Sequence, residues 1–483
     1  MTAAVVLATG CGQGRDEDPG VAGNIGVGHD LSPASFAQAV AGRISVDAVW
    51  SHMDELQRIA NDHGGNRAVF SSGYDASVDM VAGRLRDAGF DVEVPEFEFE
   101  HFQIAAQRLT IDDRDVNVRA LRYSPSTPDG GVAVSLAVLP SGTLGCSVAD
   151  YADIDAAGRI VVVDRGQCSF TVKQQLASER GAIAVVIVNT DDELIDASLG
   201  SGPEARVPTV LTTSSEGERL READGAATLL VDAQTSIRTS RSVVAQTKTG
   251  SATDVVVAGA HLDSVEAGPG INDNGSGVAA LLETALQLGS EPGVEQAIRF
   301  AFWGAEEIGL VGSTAYVEEL SPPERLDMAL YLNFDMIASH NAGYFVLDGA
   351  GTEAGGPGAG PEGSAQIEAL FRAYFEEIGI EADDSGLDGR SDYAPFMEAG
   401  IPVGGIFTGA EDVMTRDQAE RWGGVAGSRF DPNYHTARDT LENSNRDALS
   451  RTAPAVAYAV AYYSQDIGGE YGVPGRDERE QSR

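Results

Sequence analysis

Apolar residues recur every three or four positions in two early segments, SVDAVWSHMDELQRIANDHGG (Ser45–Gly65) and YDASVDMVAGRLRDAGF (Tyr74–Phe90). That spacing predicts two amphipathic helices, and DVEVPEFEFEHF after them alternates like a strand. From about Thr127 to about Leu230 the pattern changes to short Val/Ile/Ala runs parted by turn residues: GVAVSLAVLP, GRIVVVDRG, AIAVVIVNT, VPTVLTT and AATLLVDA. With one helical segment among them, FTVKQQLASERG (Phe170–Gly181), these runs predict a small, mostly-β domain. From Val243 onward strands and helices alternate. DVVVAGAHLDS, AIRFAFW, MALYLNFDM and GIPVGGIF read as strands; GSGVAALLETALQLG, EEIGLVGSTAYVEEL and SAQIEALFRAYFEEIG read as helices. Such alternation predicts an α/β fold with a mostly parallel or mixed central sheet covered by helices on both faces.

The expected organisation is a leader and linker over 1–30, the first part of the α/β domain over 31–125, and the inserted domain over 126–235. The main part of the α/β domain follows over 236–468, with a frayed polar tail over 469–483. Gly349–Ser364 is Gly-rich and reads as a mobile surface loop.

Charge narrows the partners. Against 33 Lys+Arg stand 74 Asp+Glu, a formal net charge of -41. A field of that sign repels phosphate backbones and anionic lipid heads, which argues against nucleic acid and against direct membrane binding. Beyond the first residues no stretch is long and apolar enough to span a membrane.

Candidate chemistry gathers where the predicted strands end, the place where open α/β sheets bind ligands. His261 and Asp263 close the first strand in AGAHLDSV, Glu306 and Glu307 follow the second in FWGAEEIGL, and Asp335 closes the third in LNFDM. Asp273 lies in the turn GINDNGSGVAAL, and His435 lies far along in FDPNYHTARD. Singly, each has an ordinary structural role, such as a helix N-cap for Asp273. Together they form a concentration of buried negative charge that cations would neutralise. Imidazole and carboxylate without thiolate suit zinc and neighbouring divalent ions, and two histidines with three carboxylates suffice for two ions sharing a bridge.

Three resemblances add to this. MTAAVVLATGCGQGRDEDPG resembles the end of a bacterial lipoprotein signal peptide, with ATGC as lipobox and Cys11 as the lipidated residue. It implies an extracellular or cell-surface bacterial lipoprotein that meets the membrane only through that anchor. Gly145–Thr190, with its RGxCxF…K…A…GA…VVIVN cadence, resembles the protease-associated (PA) domain, where Cys146 and Cys168 sit at positions that a disulfide would staple. HLDSV…GPGINDNGSG, FWGAEEIGLVGS, YLNFDMI, GRSDYAPF, GIPVGGIFTGA and YH, in that order, resemble the M28 zinc aminopeptidases, particularly the secreted Streptomyces-type leucine aminopeptidases.

The M28 resemblance implies two Zn2+ per chain and peptide substrates with a free N-terminus. Asp273 would bridge the ions, His261 and Asp335 would complete one site, and Glu307 and His435 the other. Asp263 would orient His261 through its other ring nitrogen, and the Asp273–Asn274 peptide bond would be cis. Glu306 would be the general base and Tyr434 the oxyanion donor. Groups around Glu306, Asp335 and Arg390 would hold the α-amine, with Met336, Gly389 and Phe407 lining an apolar pocket for Leu-like side chains. Two departures stand out. Asn433 and Arg438 replace cysteines that flank YH in close relatives, so that loop is either freer or held by other contacts. Ser450 and Pro454 replace calcium-binding aspartates, which predicts no calcium there. A monomer is expected. The competing readings are another M28-type exopeptidase (a carboxypeptidase or dipeptidase), a glutaminyl-cyclase-type transferase, and a non-catalytic M28-like binding protein.

Overall fold

A computed structural model describes residues 31–482 apart from 201, 224, 354 and 355. Cys11 therefore lies outside the described residues. The chain divides into two compact units, one built from the residues up to Phe97 and from Ser240 onward, the other from Glu98–Thr239. The sequence places those edges at 126 and 235.

The first unit holds an eight-stranded sheet. In chain order its strands are β1 (Asp91–Glu93), β2 (Val243–Gln246), β3 (Ser251–His261), β4 (Gln296–Trp303), β5 (Met328–Phe334), β6 (Phe345–Leu347), β7 (Asp383–Ser385) and β8 (Val403–Phe407). Across the sheet they lie in the order β1-β2-β4-β3-β5-β8-β6-β7. The central four, β4-β3-β5-β8, are parallel and almost wholly buried, which is why they read as continuous apolar runs.

Side chains alternate between two cores, as the pleat requires. Val256, Ala258, Ala260, Phe300 and Phe302 pack with the helices Gly275–Leu288 and Arg446–Gln465 on one face. Val255, Val257, Ala301 and Trp303 pack with Tyr331, Phe396 and Val403 on the other, where the Tyr331 and Phe396 rings stack at 3.9 Å. Register brings the carboxyl ends level, with His261 opposite Trp303 and Gly259 opposite Asn333.

Three details depart from the sequence pattern. The helix expected from Glu306 starts only at Val311. Glu306–Leu310 is a turn, with left-handed Ala305 (φ 61°) and Leu310 (φ 59°) at its ends. Together with Gly309 (φ 121°), a poor helix former, those two residues break the helical path locally. The expected frayed tail instead forms a helix, Arg476–Ser482. There Arg479 is 3% exposed and donates to the carbonyls of Leu326 and Pro474 and to Asp254. The pattern also does not single out the helix Pro33–Ala41, whose Ser32 cap accepts the Ser35 amide.

The second unit carries the strand order 114–116, 96–111, 226–241, 132–138, 160–164, 184–188, 209–212, 118–120, with parallel pairing from 132–138 through 209–212. Helices Phe170–Glu179 and Ser214–Glu222 accompany it. Ile160 and Val162 enter one apolar layer, Val161 and Val163 the other. Cys146 and Cys168 are joined as a disulfide.

Leu281 is fully buried in the first unit's larger core. Leu281→Ala is expected to lower that unit's stability by about 2–5 kcal/mol. The readout is urea unfolding followed by Trp50, Trp303 and Trp422, all of which lie in this unit. An unchanged midpoint would contradict the packing described.

Candidate metal centre

Three consecutive strand ends and two loops supply the site. His261 ends β3 and is 1% exposed. Its Nε2 lies 3.2 Å from Asp273 Oδ1, 3.3 Å from Asp335 Oδ1 and 3.9 Å from Glu306 Oε2. Its Nδ1 lies 3.2 Å from the main-chain carbonyl of Asp263. A proton on Nδ1 directed to that carbonyl leaves the Nε2 lone pair facing the acids, the tautomer a metal ligand needs.

The Asp263 carboxylate has a second set of contacts besides the imidazole it is expected to orient. It is 3.8 Å from Nδ1 but accepts the main-chain amides of Glu306 at 3.1 Å and Glu307 at 3.3 Å. The adjacent glutamates are thereby pinned by their backbone, and the turn after β4 lets their side chains diverge. Glu306 approaches His261, while Glu307 Oε2 lies 3.0 Å from His435 Nε2.

Asp273 sits between the two histidines. Its Oδ1 faces His261, and its Oδ2 is 3.1 Å from His435 Nε2. The Asp273–Asn274 bond is cis. Asn274 caps the helix Gly275–Leu288 through the Gly277 amide, donates to the Phe334 carbonyl and accepts from the Met336 amide, tying this turn to the end of β5. Gly277 is required there, because a Cβ would stand 2.3 Å from the Phe334 carbonyl oxygen. Asp335 accepts the Ser391 hydroxyl at 2.7 Å on Oδ2.

Tyr434 stacks on the His435 ring at 3.8 Å. The loop carrying both is held without flanking cysteines. Asn433 donates its amide to Asp431 and accepts from Thr436, and Arg438 reaches the Pro432 carbonyl. Arg390 is half exposed and pairs with Glu411 at 2.9 Å. Of the expected apolar pocket, Met336 is 3% exposed directly after Asp335, Phe407 is half-buried at the end of β8, and Gly389 adopts φ 82° beside Arg390.

Several residues of the centre have no role assigned from the sequence, although Asp392 stands in GRSDYAPF and Asp431 and Asp439 stand in FDPNYHTARD. Arg67 is fully buried; its guanidinium donates to the carbonyls of Leu262, Pro269 (2.9 Å) and Gly270 (2.5 Å). Asp392, Asp431 and Asp439 are buried as well.

So many acids in one low-dielectric place repel one another, by about 4 kcal/mol for unit charges 4 Å apart at an effective dielectric near 20. Their proton affinities reflect this. Burial, and then the charge of Asp273, pushes Glu307 up to about 7. Burial likewise lifts Glu306 well above the carboxylate range, with Asp392 and Asp335 adding to it against the pull of His261. Asp392 rises to about 7 and Asp439 to about 8, both mainly through burial.

Burial opposes charge on the histidines, yet the surrounding acids outweigh it. Asp335 and Glu306 hold His261 well above its usual range, and hydrogen bonds to Asp273 and Glu307 hold His435 at about 10. Burial works to raise Asp273, but both imidazoles overcome it and keep that carboxyl well below the ordinary range. Imidazolium charge thus stands where dications would do the same work. Among the described residues, Glu307 Oε1 and Asp335 Oδ1 are buried without a hydrogen-bond partner. Buried carboxylate oxygens rarely go unpaired, and these fit cation ligands.

The profile of Peptidase family M28 matches residues 242–460, and that of the PA domain matches 132–220. The chain is 50% identical to the "Probable lipoprotein aminopeptidase LpqL" of Mycobacterium tuberculosis over 446 residues, covering 91% of this chain and 89% of that protein. It is 39% identical to the "probable leucine aminopeptidase 2" of Aspergillus oryzae, over 83% of this chain and 81% of that one. Among solved structures it resembles BSAP, a zinc aminopeptidase from Bacillus subtilis, with a TM-score of 0.61 and 26% identity over 90% of this chain and 98% of that one.

With His435 held at about 10, His261 well above its usual range and Glu307 at about 7, the centre carries protons at neutral pH that a dication must displace. Zinc affinity should therefore rise with pH from about 6 to about 10 and fall as the medium is acidified. Calorimetric titration at pH 7 in buffers of different ionisation enthalpy should register more than one proton released per chain. Heats independent of the buffer would contradict it.

Proposed function

The chain belongs to peptidase family M28 and is a zinc aminopeptidase, and we propose that it removes large apolar N-terminal residues, Leu foremost, from peptides by a two-zinc mechanism. One observation carries this reading: the two oxygens of Asp273 face one histidine each, and each histidine has a further carboxylate beside it. His261, Asp335 and Asp273 would hold one ion, and Glu307, His435 and Asp273 the other. When bound, such ions supply Lewis-acid polarisation of a carbonyl and a lowered water pKa.

The chain's own groups do the rest. Glu306 is the base: it takes the proton of the attacking water and returns it to the departing amine. Its raised proton affinity suits a group that must hold that proton between the two steps. Asp263 keeps it in place through the main chain. The Tyr434 hydroxyl donates to the oxyanion, and stacking on His435 fixes its ring. The substrate's α-ammonium is held by the acids around Glu306 and Asp335, which recognises a free N-terminus. The Arg390 guanidinium, which donates hydrogen bonds and accepts none, is engaged by Glu411, so its neighbourhood would contribute to amine binding through carbonyl oxygens. Met336, Gly389 and Phe407 would shape the apolar pocket. Export as a lipoprotein anchored at Cys11, action at the bacterial cell surface and a monomeric state complete the proposal.

The test is hydrolysis of leucine p-nitroanilide. A chelator should abolish it and zinc restore it, with the glutamate and lysine p-nitroanilides turned over more slowly than the leucine substrate. Glu306→Gln should lower kcat about 10²–10⁴-fold with zinc content unchanged. Turnover that survives this substitution removes Glu306 as the base. Tyr434→Phe should lower kcat about 10²–10³-fold with a smaller change in KM. Equal losses in 1/KM and no change in kcat would make Tyr434 a binding residue instead.

A further inference from the structure

Asp439 is 3% exposed and lies four residues after His435 in YHTARD. It takes up three successive amides of the segment that presents Asp273. Its main-chain carbonyl accepts from Ile271 at 3.2 Å, Oδ1 from Asn272 at 2.7 Å and Oδ2 from Asp273 at 3.0 Å. No lysine or arginine bonds to its carboxylate among the described residues; the nearby Arg67 guanidinium donates to carbonyls instead. Both oxygens are thus given to backbone N–H groups at the start of a buried turn, where an unmade hydrogen bond is costly.

The stretch from His435 to Asp439 is short and internally bonded. The Thr436 amide donates to Asn433, and the Asp439 amide to Thr436. The neighbouring Asn272 side chain donates to Asp431 at 2.7 Å and to Ser339 at 3.1 Å. The loop of His435 and the turn of Asp273 are therefore one hydrogen-bonded piece, with Asp439 as its joint. His261 and Asp335 are held by other contacts: the Asp263 carbonyl and the Ser391 hydroxyl.

We propose that Asp439 is a positioning residue that sets the spacing between the shared ligand Asp273 and His435, so that the Glu307–His435 half of the centre depends on it more than the His261–Asp335 half. This rests on the two-zinc reading above. Asparagine at 439 has the same shape but turns one acceptor into an NH₂ donor facing an amide N–H, which breaks the clamp at one point. Serine keeps a single acceptor and no charge.

The test is zinc titration of the metal-free full chain against a chromophoric chelator, alongside circular dichroism and thermal melting of the same samples. The wild type should bind two ions. Asp439→Asn should keep its secondary structure and bind one ion as before, with the other weakened about 10–100-fold, the range for residues that orient metal ligands. Asp439→Ser should behave alike. Two unchanged steps in the variants would overturn the proposal. Equal weakening of both steps would also overturn it, since then only the charge of Asp439 matters. If neither variant folds without metal, Asp439 is a structural residue and the proposal falls. A wild type that binds one ion would instead sink the two-zinc reading, a result separable from the others because it needs no variant.

Discussion

The first unit is organised around one electrostatic constraint: carboxylates gathered at the ends of buried parallel strands must be held in a low dielectric without matching side-chain cations. An isolated buried carboxylate is expensive, and here Asp263, Asp273, Glu306, Glu307, Asp335, Asp392, Asp431 and Asp439 share one neighbourhood. The fold answers in three ways. Asp263 and Asp439 are met by backbone amides, whose dipoles are fixed by the turns that bear them. Arg67 puts a permanent charge beneath the cluster, and its donors are spent on carbonyls, so that it stabilises several acids at a distance without capturing any one. The remaining demand falls on the two imidazoles, and on metal in the reading proposed above. Acids so poorly satisfied by their own neighbours suit the metal binding proposed for them.

Such an arrangement also explains how a chain of net charge -41 can discriminate between substrates. Surface charge is screened within about 8–10 Å at physiological ionic strength, so the acidic exterior contributes little to choosing one peptide over another. The choice falls to the unscreened acids inside. In the proposed reading an α-ammonium entering them gains what a blocked N-terminus cannot, and an internal peptide bond brings no compensating charge.

Much of this was legible in the chain. Most of the proposed ligands stand at or just after strand ends, the strands announce themselves as apolar runs, and the order of motifs fixes the family, because a metal centre would constrain residue types as well as positions. The parts that stayed hidden share a physical cause: their roles exist only through main-chain contacts made in three dimensions. Arg67 in GGNRA looks like a turn residue, and Asp439 in TARDT like a helix cap; nothing nearby in sequence tells which carbonyls or amides they meet 202 or 166 residues away. The turn at Glu306 was hidden for a related reason. Glu306, Glu307 and Ile308 read as helix and only Gly309 hints at a break, while the amides of Glu306 and Glu307 are bound by Asp263, just past the end of another strand. Arg479 near the C-terminus looked solvated until its carbonyl partners were in place.

Among the proposed ligands, His435 lies on a loop far along the chain from any sheet strand, and its side chain is 42% exposed. Sites built on strands and helices are held more closely than sites on loops, so this ligand needs extra support. In relatives with cysteines beside the YH pair a covalent bond can provide it. Here Asn433 and Arg438 stand instead, and the support is a set of hydrogen bonds reaching from Asp431 and Asp439 across to the turn of Asp273. The two solutions differ physically. A disulfide acts by joining two points of one loop, whereas the hydrogen-bonded joint ties the loop to another ligand and so couples the position of His435 to that of the shared carboxylate. In this chain the only disulfide among the described residues, Cys146–Cys168, belongs to the other unit, and the loop of the proposed ligand His435 is tied by hydrogen bonds instead.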